Sequence, residues 1–321
     1  MNLKLRPKSA AIPRCGCLDV GPLAADRDID LVIVAVKVPH HADLLAAAVE
    51  SGKDVYCEWP FARTSQEAEA MAALAQTAGR RVVAGLQGRF APQVVRARDL
   101  ITAGQLGRLT SVTAYTALHY GYGGMLPDEQ RWTLDPGNGA SMRTVVAAHV
   151  IDVITGLAGP IATATGLLTT QHPSLRLTPS GDTIHATTPD HVLITATTNS
   201  GVLVTLTALS GKAADARTVI EIEGTRGTLR LSSPLPVQLG PIHAELATGE
   251  HLQLTTLPAP AVPPWAHDLS PAAVNVAYLL RSFTDLAGNP APARMYADAR
   301  DALALHRLLD NISGTPTTGL T

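Results

Sequence analysis

Residues 30–37 read DLVIVAVK, a nearly continuous run of β-branched apolar side chains. Such a run is typical of a parallel strand that is buried on both faces of its sheet. Residues 40–51 then place apolar side chains at helical spacing, and Gly52 follows where a left-handed residue would end a helix. The stretch therefore predicts a central strand followed by a helix that packs against the sheet.

The same alternation of strand and helix continues along the chain. Residues 54–57 (DVYC) and 81–86 are apolar, largely β-branched stretches, and the Ala-rich segment 64–78 between them has helical spacing with Gly79 as its stop. A β-α-β-α-β order predicts a parallel sheet with helices on its faces and right-handed crossovers. We expect a Rossmann-type half-domain.

After Gly107 the pattern changes to alternating polar and β-branched residues, which is typical of strands in a half-solvated antiparallel sheet. The strands predicted in this way cover residues 109–117, 161–168, 191–197, 202–208, 218–223 and 228–231. The helices predicted beside them cover residues 93–102, 142–157, 270–286 and 294–311.

The predicted fold class is α/β. An incomplete Rossmann-type parallel sheet occupies residues 1–107, an α+β domain with a large open, mostly antiparallel sheet occupies 108–312, and a frayed tail follows at 313–321. The 321 residues are enough for two such cores.

Composition excludes several classes of protein. The 25 basic and 27 acidic residues are scattered, so no basic stripe is available for nucleic acid. No uncharged apolar run reaches the length of a membrane span. Three cysteines (Cys15, Cys17 and Cys57) are too few for a disulfide framework or a four-ligand zinc site. We expect a cytoplasmic protein with reduced thiols and no metal, nucleic acid or membrane partner.

Four ordered stretches carry a resemblance to a known family: DIDLVIVAVKVPHHADLLAAAVESGKDVYCEWP (28–60), QGRFAPQVVRARDLITAGQLGRL (87–109), GASMRTVVAAHVIDVITGLAGP (139–160) and IEIEGTRGTLRL (220–231). They resemble the glucose-fructose oxidoreductase, inositol dehydrogenase and rhizopine-catabolism (Gfo/Idh/MocA) family. The resemblance implies an N-terminal Rossmann domain that binds NAD or NADP, a C-terminal substrate domain, and hydride transfer at a carbon of a sugar-like or polyol substrate. It also implies a homodimer or homotetramer.

Two family positions differ in this chain. The family's acid/base lysine lies in a Glu-Lys-Pro motif, which here reads Glu58-Trp59-Pro60, and an indole cannot exchange a proton as an ammonium does. The family's aspartate, four residues before a histidine, is here Val145, and the histidine is His149. His149 is therefore the remaining candidate for acid/base catalysis.

The resemblance also implies which residues would surround the ligands. The predicted cofactor contacts are Lys37, Pro39, His41, Glu58, Trp59 and Pro60. The predicted substrate pocket contains His119, Tyr120, Trp132 and Asp152.

A Gly-x-Gly-x-x-Gly turn, which lets the backbone approach a pyrophosphate, is not found before Asp30. The nearest glycines, Gly16 and Gly21, follow no strand pattern. One hypothesis is that residues 1–17 are a mis-started or frameshifted read, and the other is a genuine loss of cofactor binding.

Two functions remain open. The first is an NAD(P)-dependent oxidoreductase of the family. The second is a cofactor-free ligand-binding or regulatory protein, or a lyase or cyclase on the same scaffold. The Glu58-Trp59-Pro60 motif and the sequence Val36-Lys37-Val38 are similar to the branch that contains the yeast galactose regulator Gal80, which favours the second.

Overall fold

The structure is a computed structural model that describes residues 26–249, 253–285 and 295–312. Its first sheet has three parallel strands in sequence order, joined by two helices. These elements are β1 (Leu31–Val34), α1 (His41–Glu50), β2 (Asp54–Glu58), α2 (Ser65–Thr77) and β3 (Val82–Gly85). The β-α-β-α-β order predicted from the sequence is confirmed.

Local sequence explains where these elements begin and end. The side chain of Thr64 accepts a hydrogen bond from the backbone N–H of Glu67 and so caps α2. Gly52 and Gly79 follow the two helices with φ of +78° and +62°, a conformation that costs glycine little. Strand β1 is shorter than predicted: it ends at Val34, and after three further residues a 3-10 turn that contains Pro39, Val38–His40, leads into α1.

The two edges of this sheet differ. Within the described residues β1 pairs only with β2, and Ile33 and Val36 on this edge are 54% and 44% exposed. On the opposite edge, the backbone N–H of Ala84 in β3 donates to the carbonyl of Ala297 at 2.9 Å. A returning C-terminal segment therefore covers β3, whereas β1 has an uncovered edge in the described part of the chain.

The second sheet has eight strands in the order β14-β13-β12-β11-β4-β10-β9-β6, and all neighbours are antiparallel except β4 and β10. The predicted large, open, mostly antiparallel sheet is confirmed. Its strands are β4 (Leu109–Ala117), β6 (Ile161–Thr169), β9 (His191–Thr198), β10 (Leu203–Leu209), β11 (Thr218–Gly224), β12 (Gly227–Ser233), β13 (His243–Thr248) and β14 (Thr255–Thr256).

A third sheet is absent from the sequence prediction. It consists of β5 (Met125–Pro127), β7 (Ser174–Thr178) and β8 (Thr183–His185), in the order β5-β7-β8. The expectation of a single sheet after residue 107 was therefore incomplete. Strands of three to five residues show too little alternation to be separated from loops by periodicity.

Four longer helices complete the described fold: α3 (Pro92–Thr102), α4 (Ala148–Ala158), α5 (Pro271–Asp285) and α6 (Ala299–Asn311). Helix α6 packs on α2, so the end of the chain returns to the first sheet. The predicted domain boundary after Gly107 lies between α3 and β4, where the parallel sheet gives way to the large sheet, and it stays a prediction.

Helix α4 is the central helix of the larger domain. A π-helical turn, Met142–Ala147, precedes it, and Ser141 and Thr144 cap that turn reciprocally. The combined segment Pro136–Ala158 is long and apolar enough to span a membrane, but 72% of its most apolar window is buried inside the protein. This burial identifies the segment as a core helix.

Candidate functional site

A large, mostly apolar space, which we call cavity 1, has a volume of about 460 Å³. It lies where the parallel strands β4 and β10 both end. Its wall is formed by the large sheet, the third sheet (β5-β7-β8) and the turn before α4. Among the described residues neither Lys nor Arg lines it. The apolar side chains in its wall include Leu118, Leu126, Leu134, Met142, Val145, Leu175, Leu235 and Leu239. Such a wall suits a neutral, largely apolar ligand.

A few polar groups interrupt this apolar wall. Gln238 is 5% exposed, and its side-chain Oε1 has no hydrogen-bond partner among the described residues. His172 and Asp190 also line the cavity, and His172 Nδ1 lies 3.0 Å from Asp190 Oδ2. Buried polar atoms are normally paired, so the unpaired Oε1 of Gln238 beside the cavity is an exception.

The carboxylate of Asp190 is hydrogen-bonded to two histidines, His172 and His191. Its other carboxylate oxygen, Oδ1, lies 2.8 Å from His191 Nδ1 and accepts from the backbone N–H of Gln171, and Oδ2 also accepts from the backbone N–H of His172. Burial acts to raise the pKa of Asp190, but these hydrogen bonds outweigh it and lower the pKa. Asp190 is therefore an anion that orients both imidazole rings.

A second space, cavity 2, has a volume of about 620 Å³ and is wide open and polar. It lies at the carboxyl end of β1, where Lys37 Nζ is 5.6 Å from the centre of the Trp132 ring. Asp128, Glu129 and Arg131 line the same space. Ligands of open α/β sheets bind at such carboxyl ends.

The predicted substrate-pocket residues are divided between different places. His119 and Tyr120 line cavity 1, and Nδ1 of His119 donates to the carbonyl of Lys212 at 2.7 Å. Trp132 lines cavity 2 instead. Asp152 lines neither, because it is 3% exposed and forms a buried ion pair with Arg89. The structure thus brings together only two of these four residues.

His149, the predicted acid/base residue, lies inside the core. It is 4% exposed in α4, lines neither cavity 1 nor cavity 2, and its Nδ1 has no partner among the described residues. Burial lowers the pKa of His149 from its usual 6.5 to about 3. A residue in this position contributes to packing and has no path to a ligand in either cavity.

We expect the burial of His149 to make stability depend on pH. The unfolded chain protonates this histidine below about pH 6.5, whereas the folded protein keeps it neutral down to about pH 3. The contribution of His149 to the free energy of unfolding is therefore complete above about pH 6.5 and is lost as the pH falls from there toward about pH 3. Between pH 7.5 and pH 5 the loss from this one residue is about 2 kcal/mol.

Urea unfolding at both pH values measures this loss. The variant His149→Gln should lose about 2 kcal/mol less than the wild-type protein between pH 7.5 and pH 5. His306, whose pKa is lowered by burial to about 4, remains in both proteins and cancels in the comparison. Equal losses in the two proteins would show that His149 is accessible to protons in the folded state.

Trp59 fills the position of the family's lysine with a buried ring. It is 6% exposed, its Nε1 donates to the carbonyl of Thr144 at 2.6 Å, and its ring centre lies 4.7 Å from that of His306. The neighbouring Pro60 is also buried. The indole thus ties the end of β2 to the turn before α4 and offers no acid/base group of its own.

The remaining predicted cofactor contacts are mixed. His41 is 1% exposed, and its two ring nitrogens lie 2.9 Å and 3.3 Å from the carbonyls of Val36 and Phe61, so it holds local backbone. Glu58 accepts a hydrogen bond from Tyr56, and burial raises the pKa of this carboxyl group. Lys37 is exposed and Pro39 is half-buried.

These residues do not form a pyrophosphate site. Within 26–249, 253–285 and 295–312, the turn after β1 contains no glycine, and the helix that follows it begins with His41, whose ring is occupied. Close approach of a pyrophosphate needs glycine N–H groups at a helix N-terminus. The described residues fit the flank of a nucleotide at Lys37 but not its phosphates.

Comparison with known proteins identifies the relatives of this fold. The family profile described as an oxidoreductase family with an NAD-binding Rossmann fold matches residues 8–86, and the profile of the Gal80p C-terminal domain matches residues 92–233. Residues 8–86 are therefore similar to the Gfo/Idh/MocA oxidoreductase family. The match of residues 92–233 to the Gal80p C-terminal domain agrees with the Gal80-like branch predicted from the Glu58-Trp59-Pro60 motif.

The relatives include both enzymes and regulators. Dehydrogenase aclE of Aspergillus oryzae is 39% identical over 150 residues, which are 46% of this chain and 40% of that protein. The galactose/lactose metabolism regulatory protein GAL80 of Kluyveromyces lactis is 27% identical over 223 residues, 64% and 49% of the two chains. The match thus spans about half or less of each of these curated relatives.

Solved structures show the same fold. A super-repressor mutant of Gal80p from Saccharomyces cerevisiae superimposes with a TM-score of 0.79 at 22% identity, covering 92% of this chain and 80% of that one. Levoglucosan dehydrogenase in complex with NADH and L-sorbose gives a TM-score of 0.77 at 20% identity, with 92% and 79% covered. A solved Gal80p structure and a solved levoglucosan dehydrogenase structure therefore share this fold.

Proposed function

We propose that this protein binds a neutral, largely apolar ligand in cavity 1 as a ligand-binding or regulatory member of the Gfo/Idh/MocA family. The observation that carries the proposal is the buried indole of Trp59 at the lysine position. Hydride transfer at a hydroxyl carbon needs a base for the hydroxyl proton. Val145 in the cavity wall and the buried His149 supply none at the other two family positions.

The wall of cavity 1 favours an apolar ligand over the sugar or polyol predicted from the sequence. Each hydroxyl group that leaves water without a partner loses free energy, and a polyol has one on nearly every carbon. The apolar wall has few partners to offer, and the described residues place no Lys or Arg there to bind a phosphate or carboxylate. An apolar ring with one or two hydroxyl groups fits better.

Calorimetric titration with 2-naphthol and with myo-inositol tests the proposal. We expect 2-naphthol to bind with a Kd below about 100 μM, and myo-inositol to show no binding at about 10 mM. Binding of myo-inositol without binding of 2-naphthol would refute the proposal and restore the polyol substrate.

The second candidate is an NAD(P)-dependent oxidoreductase. Two observations favour it: the match of residues 8–86 to an NAD-binding Rossmann profile, and Lys37 in cavity 2 at the carboxyl end of β1. Titration with NADH and NADPH, followed by nicotinamide fluorescence, tests this candidate and decides between the two cofactors. Saturable binding below about 100 μM would favour it, and no binding of either nucleotide would favour a cofactor-free role.

The outer face of the large sheet supports a homodimer. Leu167 and Leu193 face each other across β6 and β9 and are 40% and 44% exposed, and Leu203 on β10 is 60% exposed on the same face. Exposed threonines such as Thr165 and Thr195 lie between these leucines, and a flat, weakly polar face of this kind could pair with its own copy about a two-fold axis.

Light scattering of the purified protein tests the dimer. We expect Leu193→Glu to shift the mass toward the monomer, while Ile33→Glu on the first sheet leaves it unchanged. A wild-type monomer at about 100 μM would contradict the dimer.

A cytoplasmic location remains part of the proposal, and cell fractionation checks it.

A further inference from the structure

We infer that His172, oriented by Asp190, and the side chain of Gln238 are two hydrogen-bond acceptors in the wall of cavity 1 that recognise hydroxyl groups of the ligand. The inference rests on the proposed function, because it needs cavity 1 to be the ligand site. It adds the number and the chemistry of the groups that the ligand must carry.

The hydrogen bonds of Asp190 determine which nitrogen of His172 is free. The carboxylate accepts four hydrogen bonds, from the backbone N–H of Gln171 (2.8 Å), the backbone N–H of His172 (2.7 Å), His172 Nδ1 (3.0 Å) and His191 Nδ1 (2.8 Å). Because a carboxylate only accepts, each Nδ1 carries a proton. Nε2 of a neutral His172 is then an acceptor.

The same four bonds favour recognition of hydroxyl groups over metal binding. One ligand atom from each of His172, Asp190 and His191 lies within 4.8 Å of the others, a spacing that a metal ion could bridge. A carboxylate offers about four lone-pair positions, however, and the four hydrogen bonds occupy them. Asp190 is therefore saturated as an orienting group.

Only one of the two histidines lines the cavity. His172 belongs to the wall of cavity 1 and His191 does not. The His172 ring lies against Gly211, where an added Cβ atom would come within 2.5 Å of the ring. The glycine, which has a φ of +75°, leaves the space in which the ring can lie.

Gln238 is the independent observation. Its side chain is almost fully buried in the wall of cavity 1, and its Oε1 lacks a partner within the part of the chain that the structure describes. An acceptor left in this state costs free energy until a donor reaches it. A ligand hydroxyl is such a donor, and an ether or a hydrocarbon is not.

The negative charge of Asp190 further restricts the class of ligand that cavity 1 can bind. Asp190 is anionic and the described wall holds no Lys or Arg, so a carboxylate or phosphate would meet repulsion without compensation. The ligand class that remains is a neutral ring system with two donor hydroxyl groups.

A matched pair of probes tests this assignment. 2,6-Dihydroxynaphthalene has two donor hydroxyl groups, and 2,6-dimethoxynaphthalene keeps the ring but has no donor hydrogen. By calorimetry we expect the dihydroxy compound to bind the wild-type protein at least about tenfold more tightly. In His172→Phe, and separately in Gln238→Leu, the ratio should fall to about threefold or less.

His191→Phe is the matched control. It removes a hydrogen bond to Asp190 as His172→Phe does, but it removes no group from the cavity wall. We expect it to keep the wild-type ratio. An equal fall of the affinity ratio in His172→Phe and His191→Phe would show that Asp190 only maintains the fold, and it would overturn the role of His172. Gln238→Leu would then test the second acceptor alone.

The outcomes separate the two claims. If neither probe binds, the proposed function fails. If both probes bind the wild-type protein equally, cavity 1 is an apolar site and the hydroxyl inference is wrong. A rise in Tm with Zn²⁺ in the wild-type protein that is lost in both histidine variants would overturn the proton assignment on Nδ1.

Discussion

Replacing Asp152 by Ala should lower the free energy of unfolding by about 3–5 kcal/mol. The reason is the ion pair with Arg89, in which Asp152 accepts from both Nε and Nη2 of the guanidinium. The Arg89 side chain is 18% exposed and the Asp152 side chain is 2% exposed. Truncating the acid leaves a buried cation that has lost its bidentate partner and keeps only the carbonyl of Met295 and the charge of Asp301. Urea unfolding followed by tryptophan fluorescence measures the loss.

The double variant Arg89→Met with Asp152→Leu is the control for this prediction. It removes both charges, so it should lose far less than the sum of the single variants. Arg63→Ala is a second control, because its pair with Glu67 lies at the surface and should contribute less than about 1 kcal/mol. A loss below about 1 kcal/mol in Asp152→Ala would show that water reaches Arg89.

Replacing Trp59 by Ala should also cost about 3–5 kcal/mol in the free energy of unfolding. The change removes a buried ring that stacks on His306, and it leaves the carbonyl of Thr144 without its indole donor. Thermal unfolding followed by circular dichroism, together with urea unfolding, measures the effect.

Two further substitutions separate the roles of the indole. Trp59→Phe keeps an aromatic ring but loses the 2.6 Å hydrogen bond, so it should cost about 1–3 kcal/mol. Trp59→Lys restores the family residue in a space shaped for a ring, and we expect destabilisation without any gain of NAD-dependent turnover. A stable Trp59→Lys protein that oxidises a polyol would contradict our interpretation of this position.

Local patterns determined much of this fold. The β-branched runs at 31–34 and 82–85, the cap at Thr64 and the glycines after α1 and α2 all act within a few residues, so the sequence alone predicted them. The pairing of β4 with β10 joins strands about ninety residues apart, as in the register of Leu203 with Ser111. No local signal specifies such a partner, and the strand order was not predicted.

The candidate site shows the same division. His119 and Tyr120 were predicted near a pocket and line cavity 1, because the loop that follows β4 forms its wall. Asp152 was predicted there too, but it forms a buried ion pair with Arg89, which lies 63 residues earlier in the chain. His172, Asp190 and Gln238 were missed because they come from three separate loops and only the folded chain brings them to one cavity.

The most direct test is a crystal structure of the protein with 2,6-dihydroxynaphthalene bound. We expect the ring in cavity 1, with one hydroxyl group within hydrogen-bond distance of His172 Nε2 and the other near the side chain of Gln238. A probe bound in cavity 2 beside Lys37 and Trp132, with cavity 1 empty, would contradict it.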